Sequence, residues 1–527
     1  MARTSPTYLQ STICTLLLVG LSVVAAYITA TLVTLLSVYN LLRPERGGTC
    51  AGRKTVLITG ARNAKCLFLA RAFSRGGCRV IVAEEPSWFT LNMTRFSRSV
   101  KRYYPLPDPA LSAQAYKEAI VNIILREQVD MFLPCSSPTY TVLDSVTALA
   151  IAHRAPKCKC FIPHPDLVTA LDRKDEFISL CDSLGMPVPA SRLVQSVDEA
   201  VDWLHSPDTT GAGQQYITKG LAFDDLARTD MTPLPLDTPA QTKAHLERVP
   251  LPISSRHRYV VQRLLDGPEY CTHAAVRDGE LVAFVTCRSS DMLMRYVDVK
   301  SLFSAQSNEE RAREHAVGVQ AEEWTRNFLS RWKDKLLQQK QAGIGGSVRE
   351  LTGHFCVDFI LNGADGQLYP IECNPRAHTA VVLFAGVPDL VSHYLGSASG
   401  TAYPPASTPP NSWLAHALPL SLATLLPRIL ARNLHPLLSA SMNSTSQDRT
   451  DPTLSPQPDS AAPHALLMQY ILGREVDPVW DVRDPVPFFV LAHLAWPWML
   501  LKGMVYGRAW SRVNASTMRV WGAAEVK

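Results

Sequence analysis

The sequence predicts a membrane-anchored protein of mixed α/β and α+β class: an N-terminal transmembrane helix, a parallel-sheet domain, and a second domain on an antiparallel sheet. Three observations predict it. No residue from Thr4 to Leu42 is charged. From Lys54 onwards, short apolar strands alternate with amphipathic helices, the pattern of a parallel sheet. Later come two hairpins, one turning at Asp278-Gly279 and the other near Ala364.

A bilayer core takes about 20 apolar residues, whereas a signal-peptide core has roughly 7–15. The run TLLLVGLSVVAAYITATLVTLLSVY therefore reads as a single-pass anchor within residues 1–45. Arg43, Arg46, Arg53 and Lys54 follow it, against Arg3 alone before it, which turns the remainder toward the cytosol. The 12 cysteines form no CxxC pair and no Cys/His ladder, which argues against a zinc site or a disulfide framework and suits a reducing compartment. In a cytosolic chain the sequons at Asn92, Asn443 and Asn514 are chance matches. A net charge of +5, spread over 527 residues, points away from nucleic acid as a partner, and the length requires two or three domains.

Residues 53–165 form the first of these. KTVLITG, CRVIVAEE, DMFLPCSS and CKCFIP read as strands, with helices between them, in a Rossmann-like order. Gly60 stands alone in GARNAK, which is neither a dinucleotide fingerprint nor a P-loop. Residues 166–400 open with the helix DRKDEFISLCDSLGMPVP and continue through YITKG, RYVVQRLL and the two hairpins. Residues 401–527 are an extension, with an insert at about 441–463 whose composition predicts disorder. Its late segment VPFFVLAHLAWPWMLLKGMVY reads as a membrane-interfacial or buried packing helix.

The chemistry concentrates in YPIECNPRAHTA, Tyr369–Ala380. Period two puts Glu372 and Asn374 on one strand face, with Arg376 just beyond, while Tyr369, Ile371 and Cys373 suit a core. With the turn near Ala364, Asp358 falls beside or diagonal to Glu372 on the same face. Two adjacent carboxylates repel unless a cation lies between them. Few oxygen ligands of this kind suit Mg²⁺ (or Mn²⁺) that keeps waters and bridges phosphates. Arg376 then lies where a phosphoryl group or oxyanion develops charge. On its own, the strand suits a wet hairpin edge equally well.

Other candidates are weaker. Arg95, Arg98, Lys101 and Arg102 form either an anion site or an exposed basic loop. Ser136 and Ser137 follow a parallel strand, where open α/β sheets bind ligands. His273 and His378 suit general bases or structural roles, and His378 has the better claim, two residues past Arg376.

VDFI…YPIECNPR, together with Lys174, Lys219 and VVQRLLDGPEY, resembles the ATP-grasp superfamily over roughly residues 55–395. The resemblance implies a pre-ATP-grasp domain followed by an ATP-grasp domain. It implies Lys174 and Lys219 on the ATP phosphates, Gln262 at the adenine and Glu269 at the ribose. It also implies Mg²⁺ on Asp358, Glu372 and Asn374, with Arg376 stabilising the transition state. The segment GLAFDDLARTDMTPLP departs from the family's glycine-rich phosphate loop, and Arg228 is the charge it offers instead.

Within the superfamily, TRFSRSVKRYYPLPDP, DDLARTDMTPLP, GPEYCTHAAVRDGEL, IECNPRAHTA and VRDPVPFF look like the ATP-grasp enzymes of mycosporine biosynthesis, which join glycine to a cyclohexenone. The small-molecule substrates so implied are an amino acid and a 4-deoxygadusol-like ring. The alternatives are a carboxylate–amine ligase working through an acyl phosphate, and a non-catalytic nucleotide-binding membrane protein.

Overall fold

The computed structural model describes residues 8–42, 54–88, 90–135, 138–210, 214–220, 230, 232–249, 251–289, 295–305, 307–341, 351–414, 468–507, 510–514 and 519–522. Ser136, Ser137, Arg228 and the insert at 441–463 lie outside these residues. The apolar N-terminal run forms one helix, α1 (Tyr8–Leu42), long and apolar enough to cross a membrane.

A five-stranded parallel sheet follows: β1 (Thr55–Thr59), β2 (Arg79–Glu84), β3 (Val100–Pro105), β4 (Met131–Pro134) and β5 (Lys159–Cys160), in the order β3-β2-β1-β4-β5. The central strand β1 is buried at all five positions, which is why TVLIT carries no polar alternation. Helices α2 (Ala64–Arg75), α3 (Ala113–Glu127) and α4 (Thr141–Arg154) connect the strands. Strand β3 holds part of the stretch in which a basic loop was an alternative. It is an edge strand whose Lys101 and Arg102 are exposed, charges that also protect a sheet edge.

Helices α5 (Pro165–Asp172) and α6 (Lys174–Ser183) lead into a three-stranded antiparallel sheet. It consists of β6 (Ser191–Val194), β7 (Tyr216–Gly220) and β8 (Tyr259–Arg263), ordered β6-β8-β7. Helices α7 (Val197–Leu204), α8 (Pro207–Thr210) and α9 (Pro239–Leu246) lie between these strands in sequence.

The largest antiparallel sheet joins β9 (Glu269–Arg277), β10 (Glu280–Arg288), β13 (Cys356–Leu361) and β14 (Leu368–Asn374), in the order β10-β9-β13-β14. The short strands β11 (Arg295–Tyr296) and β12 (Gly353–His354) and the long helix α10 (Asn308–Gln341) come between β10 and β13 in sequence. Asp278 (φ 50°) and Gly279 (φ 81°) make the expected hairpin turn, with both residues left-handed as a two-residue loop requires. Trp324 and Phe328 of α10 pack against the sheet, with Trp324 edge-on to Phe359 at 5.0 Å.

The core face of β14 differs from the simple alternation. A register shift between Asp358 and Phe359 inserts one residue opposite β13. Leu368 and Cys373 are core residues, whereas Tyr369 is half-buried and donates its hydroxyl to Asp365. The bulge exchanges faces midway along the strand, so period two holds only on either side of it. The extension starts inside the body, where Ala402 bridges Ala283 and Asn411–Ser412 pairs with β11.

Candidate active site

Asp358 on β13 and Glu372 on β14 are direct cross-strand partners. Lys174, the first residue of α6, reaches the same place, with Nζ 3.0 Å from Glu372 Oε2. Asn374 donates from Nδ2 to Asp358 Oδ2 at 3.1 Å. Arg376 donates to Asn374 Oδ1 and, at 2.6 Å, to Asp172 Oδ1. Glu269 begins β9 beside this pair, and β9 aligns with β13 so that Cys271 opposes Asp358. Gly267 permits that approach: a Cβ there would lie 1.8 Å from the carbonyl oxygen of Leu361.

The neighbouring three-stranded sheet supplies Lys219 and Gln262. Lys219 Nζ donates to Gln262 Oε1 at 2.8 Å, and Gln262 is buried on β8. Lys219, which ends an apolar strand, thus has an amide oxygen as partner.

The electrostatics tie these groups into one cluster. Burial first, then Glu372, Cys271 and Glu269, push Asp358 well above the usual carboxylate range. Burial and Glu372 also raise Glu269, while Lys219 and Lys174 oppose the rise. The Oδ1 of Asp358 is out of contact with solvent and has no hydrogen-bond partner. Among the described residues, no set of three His, Cys, Asp or Glu side chains forms a self-sufficient metal cage. The orphaned Oδ1 facing a second carboxylate fits an ion that draws only part of its shell from protein, as Mg²⁺ does.

Asp172 and Lys65 escaped the sequence reading. Asp172 ends α5, two residues before Lys174, and only the fold brings it to Arg376. Lys65, buried in α2 of the parallel-sheet unit, donates to the carbonyl of Ala377 at 2.8 Å. Burial lowers its pKa to about 8. It fastens the segment after β14 to the first unit, and neither residue lies in a recognisable motif.

The histidines form a buried relay. His378 N–H donates to His273 Nδ1 at 3.2 Å, so the His273 proton sits on Nε2, facing the Tyr394 hydroxyl at 3.1 Å. Tyr394 in turn meets His354 Nε2 at 3.1 Å. Burial drives His354 and His378 down to about 3 and His273 well below its ordinary value, leaving all three rings neutral near pH 7. His378 also caps the 3₁₀ turn Thr379–Gly386 by accepting from Ala380 N–H. Of the basic cluster, Arg95 stacks over Tyr103 at 5.5 Å, and the backbone N–H of Arg98 bonds Asp484.

A small cavity adjoins Arg376, lined also by Pro134, Thr141, Asp144 and His354. Pro134 ends β4, so the cavity opens at the carboxyl edge of the parallel sheet. Thr141 Oγ1 is buried there without a partner.

No family model and no curated protein matches this chain. Among solved structures it is similar to an L-amino acid ligase from Bacillus licheniformis, at 14% identity over 63% of this chain and 68% of that one, TM-score 0.41. It is similar to N5-carboxyaminoimidazole ribonucleotide synthetase in an ADP complex, at 11% identity over 72% and 86%, TM-score 0.47. The same enzyme from Thermotoga maritima aligns at 13% identity over 66% and 77%, TM-score 0.44. At these scores the function has to be read from the residues themselves.

Proposed function

We propose that this chain is a membrane-anchored ATP-grasp ligase that condenses an amino acid, glycine by preference, with a 4-deoxygadusol-like cyclohexenone, its body in the cytosol. The ligase reading is supported by the contacts that join Lys174 to Glu372, Asn374 to Asp358, Arg376 to Asn374 and Lys219 to Gln262, and by the coupling of Glu269 to Glu372, Lys219 and Lys174. The preference for glycine and a cyclohexenone rests on the sequence resemblance to the mycosporine enzymes.

In this reading Lys174 and Lys219 hold the phosphates of ATP, Gln262 borders the adenine and Glu269 the ribose. Asp358, Glu372 and Asn374 hold Mg²⁺, which neutralises phosphate charge when bound. Lys174 then exchanges its carboxylate partner for phosphate oxygens. Arg376, held by Asp172, would offer its guanidinium to the charge that develops on the transferring group. The enolate oxygen of the ring attacks the γ-phosphorus and ADP leaves. The glycine amine adds to the activated carbon and loses a proton, then phosphate departs and an enaminone remains.

The test uses the full chain in detergent with Mg²⁺ and ATP. ADP release is followed with 4-deoxygadusol and glycine, each alone and together, beside Glu372→Ala. ADP that requires both substrates, new enaminone absorbance and a silent variant is the expected result. ADP release only with carboxylate–amine pairs would replace the ring chemistry by an acyl phosphate. ATP binding without turnover on any acceptor would end the ligase reading.

A further inference from the structure

The stretch VRDPVPFF and the helix behind it, Val486–Val505, have no part in that chemistry. We propose that this helix is a second membrane span, antiparallel to α1, so that a two-helix hairpin in a lipid bilayer carries the body and puts both chain termini on the far side. The proposal rests on the reading of α1 as a membrane anchor.

The two segments meet beside the body. Asp484 is buried, pairs with Arg71 Nε at 2.9 Å, and accepts the backbone N–H of Arg98 at 3.0 Å. Its carbonyl takes a second bond from Arg71 at 2.7 Å. Two residues earlier, the carbonyl of Val482 accepts from Asn40 Nδ2 of α1 at 2.8 Å. Roughly five turns back along α1, Ser22 meets Ala492 and His493. Leu18, Trp496 and Leu500 belong to the apolar cluster that also holds Val56, Ile58 and Phe73 of the body. As one chain number falls the other rises, so the helices are antiparallel and lie side by side over the length that α1 needs to cross a bilayer. Whatever surrounds α1 there also surrounds its neighbour.

The composition agrees. The helix has 20 residues at a mean hydropathy of 1.4, enough for a hydrocarbon core of about 30 Å. Its outer face leaves Leu494, Trp498 and Val505 exposed, as α1 leaves Val24, Ile28 and Leu35 exposed. Lipid is the solvent for such a face.

Three polar contacts tie the pair, at Asn40, Ser22 and His493, while Thr12 Oγ1 and Trp496 Nε1 are buried without a partner. Val490–Ala495 is a π-helical turn, in which the carbonyl of Ala492 would look five residues ahead for its donor. That residue is Pro497, which has no N–H. Ser22 Oγ donates to Ala492 O at 3.1 Å instead. His493 Nδ1 lies 3.1 Å from the Ser22 carbonyl, an acceptor only, so Nδ1 carries the proton and donates back. One serine of α1 thus repairs the defect that proline makes in the other helix. Arg508, Arg512 and Arg519 of the tail oppose translocation by the positive-inside bias, which makes the sidedness of the tail the decisive readout.

The experiment places an epitope after Lys527 of the full-length chain and treats sealed microsomes with protease and, separately, alkaline carbonate. The expected result is carbonate-resistant protein whose body is digested while the C-terminal epitope survives until detergent is added. Loss of the epitope together with the body, in carbonate-resistant protein, would overturn the second span and leave the anchor standing. Release by carbonate would remove the anchor reading and this proposal with it.

Discussion

Lys174 stands 3.0 Å from Glu372, placing an ammonium beside the carboxylate that Asp358 faces from the opposite strand. The lysine sits against one acid of the pair, while burial and the neighbouring carboxylate push the other well above the usual carboxylate range. The cluster is therefore under electrostatic tension that a divalent cation relieves.

Glu372→Gln removes one of two facing carboxylates. The melting temperature of the metal-free protein is expected to hold or rise, because repulsion with Asp358 disappears, while ADP formation falls by about 100-fold or more. Mg²⁺ with ADP should raise the melting temperature of the parent chain and have little effect on the variant. Differential scanning fluorimetry beside an ADP-release assay measures both.

Arg376→Lys keeps the charge and loses the planar fork that spans Asp172 and Asn374. Turnover is expected to drop by about 100-fold with nucleotide affinity nearly unchanged, the pattern of a group that acts in the transition state. Asp172→Asn should show a milder loss of the same kind. Comparable loss of ADP binding by calorimetry in Arg376→Lys would place the arginine in ground-state binding instead.

Glu84 gives a pH signature. Burial, opposed by Arg62, raises its carboxyl from the ordinary 4.5 to about 7. Between those values the folded state holds a proton that the unfolded chain has lost, so stability declines as pH rises from 4.5 through 7. At about 1.4 kcal/mol per pKa unit, the decline is roughly 3 kcal/mol. Urea melts across that window should show it, and Glu84→Gln should flatten the slope.

Removal of residues 1–45 should leave turnover in detergent within about twofold, since α1 bonds Val482, Ala492 and His493, away from the cleft. Loss of turnover in truncated protein that still melts cooperatively would contradict this.

Much of this was legible beforehand for local reasons. An uncharged run of that length gives one long apolar helix, and apolar strands between amphipathic helices select a parallel sheet. Asp278-Gly279 adopts the two left-handed conformations a tight hairpin needs. Strand periodicity alone was enough to join Glu372 and Asn374 on one face and to bring Asp358 near them. The inward face of Leu368 was hidden, because the bulge opposite Asp358 reverses the alternation and no residue type announces it.

Helix and strand periods act over a few residues, so the elements and most of the polar residues that chemistry would need are written locally. Which partners those residues meet depends on the packing of distant segments. Asp172 reaches Arg376, Lys65 reaches Ala377 and Ser22 reaches Ala492 across long separations. A buried charge or an orphaned carbonyl accepts any partner of the right polarity, and only packing of the whole chain selects one.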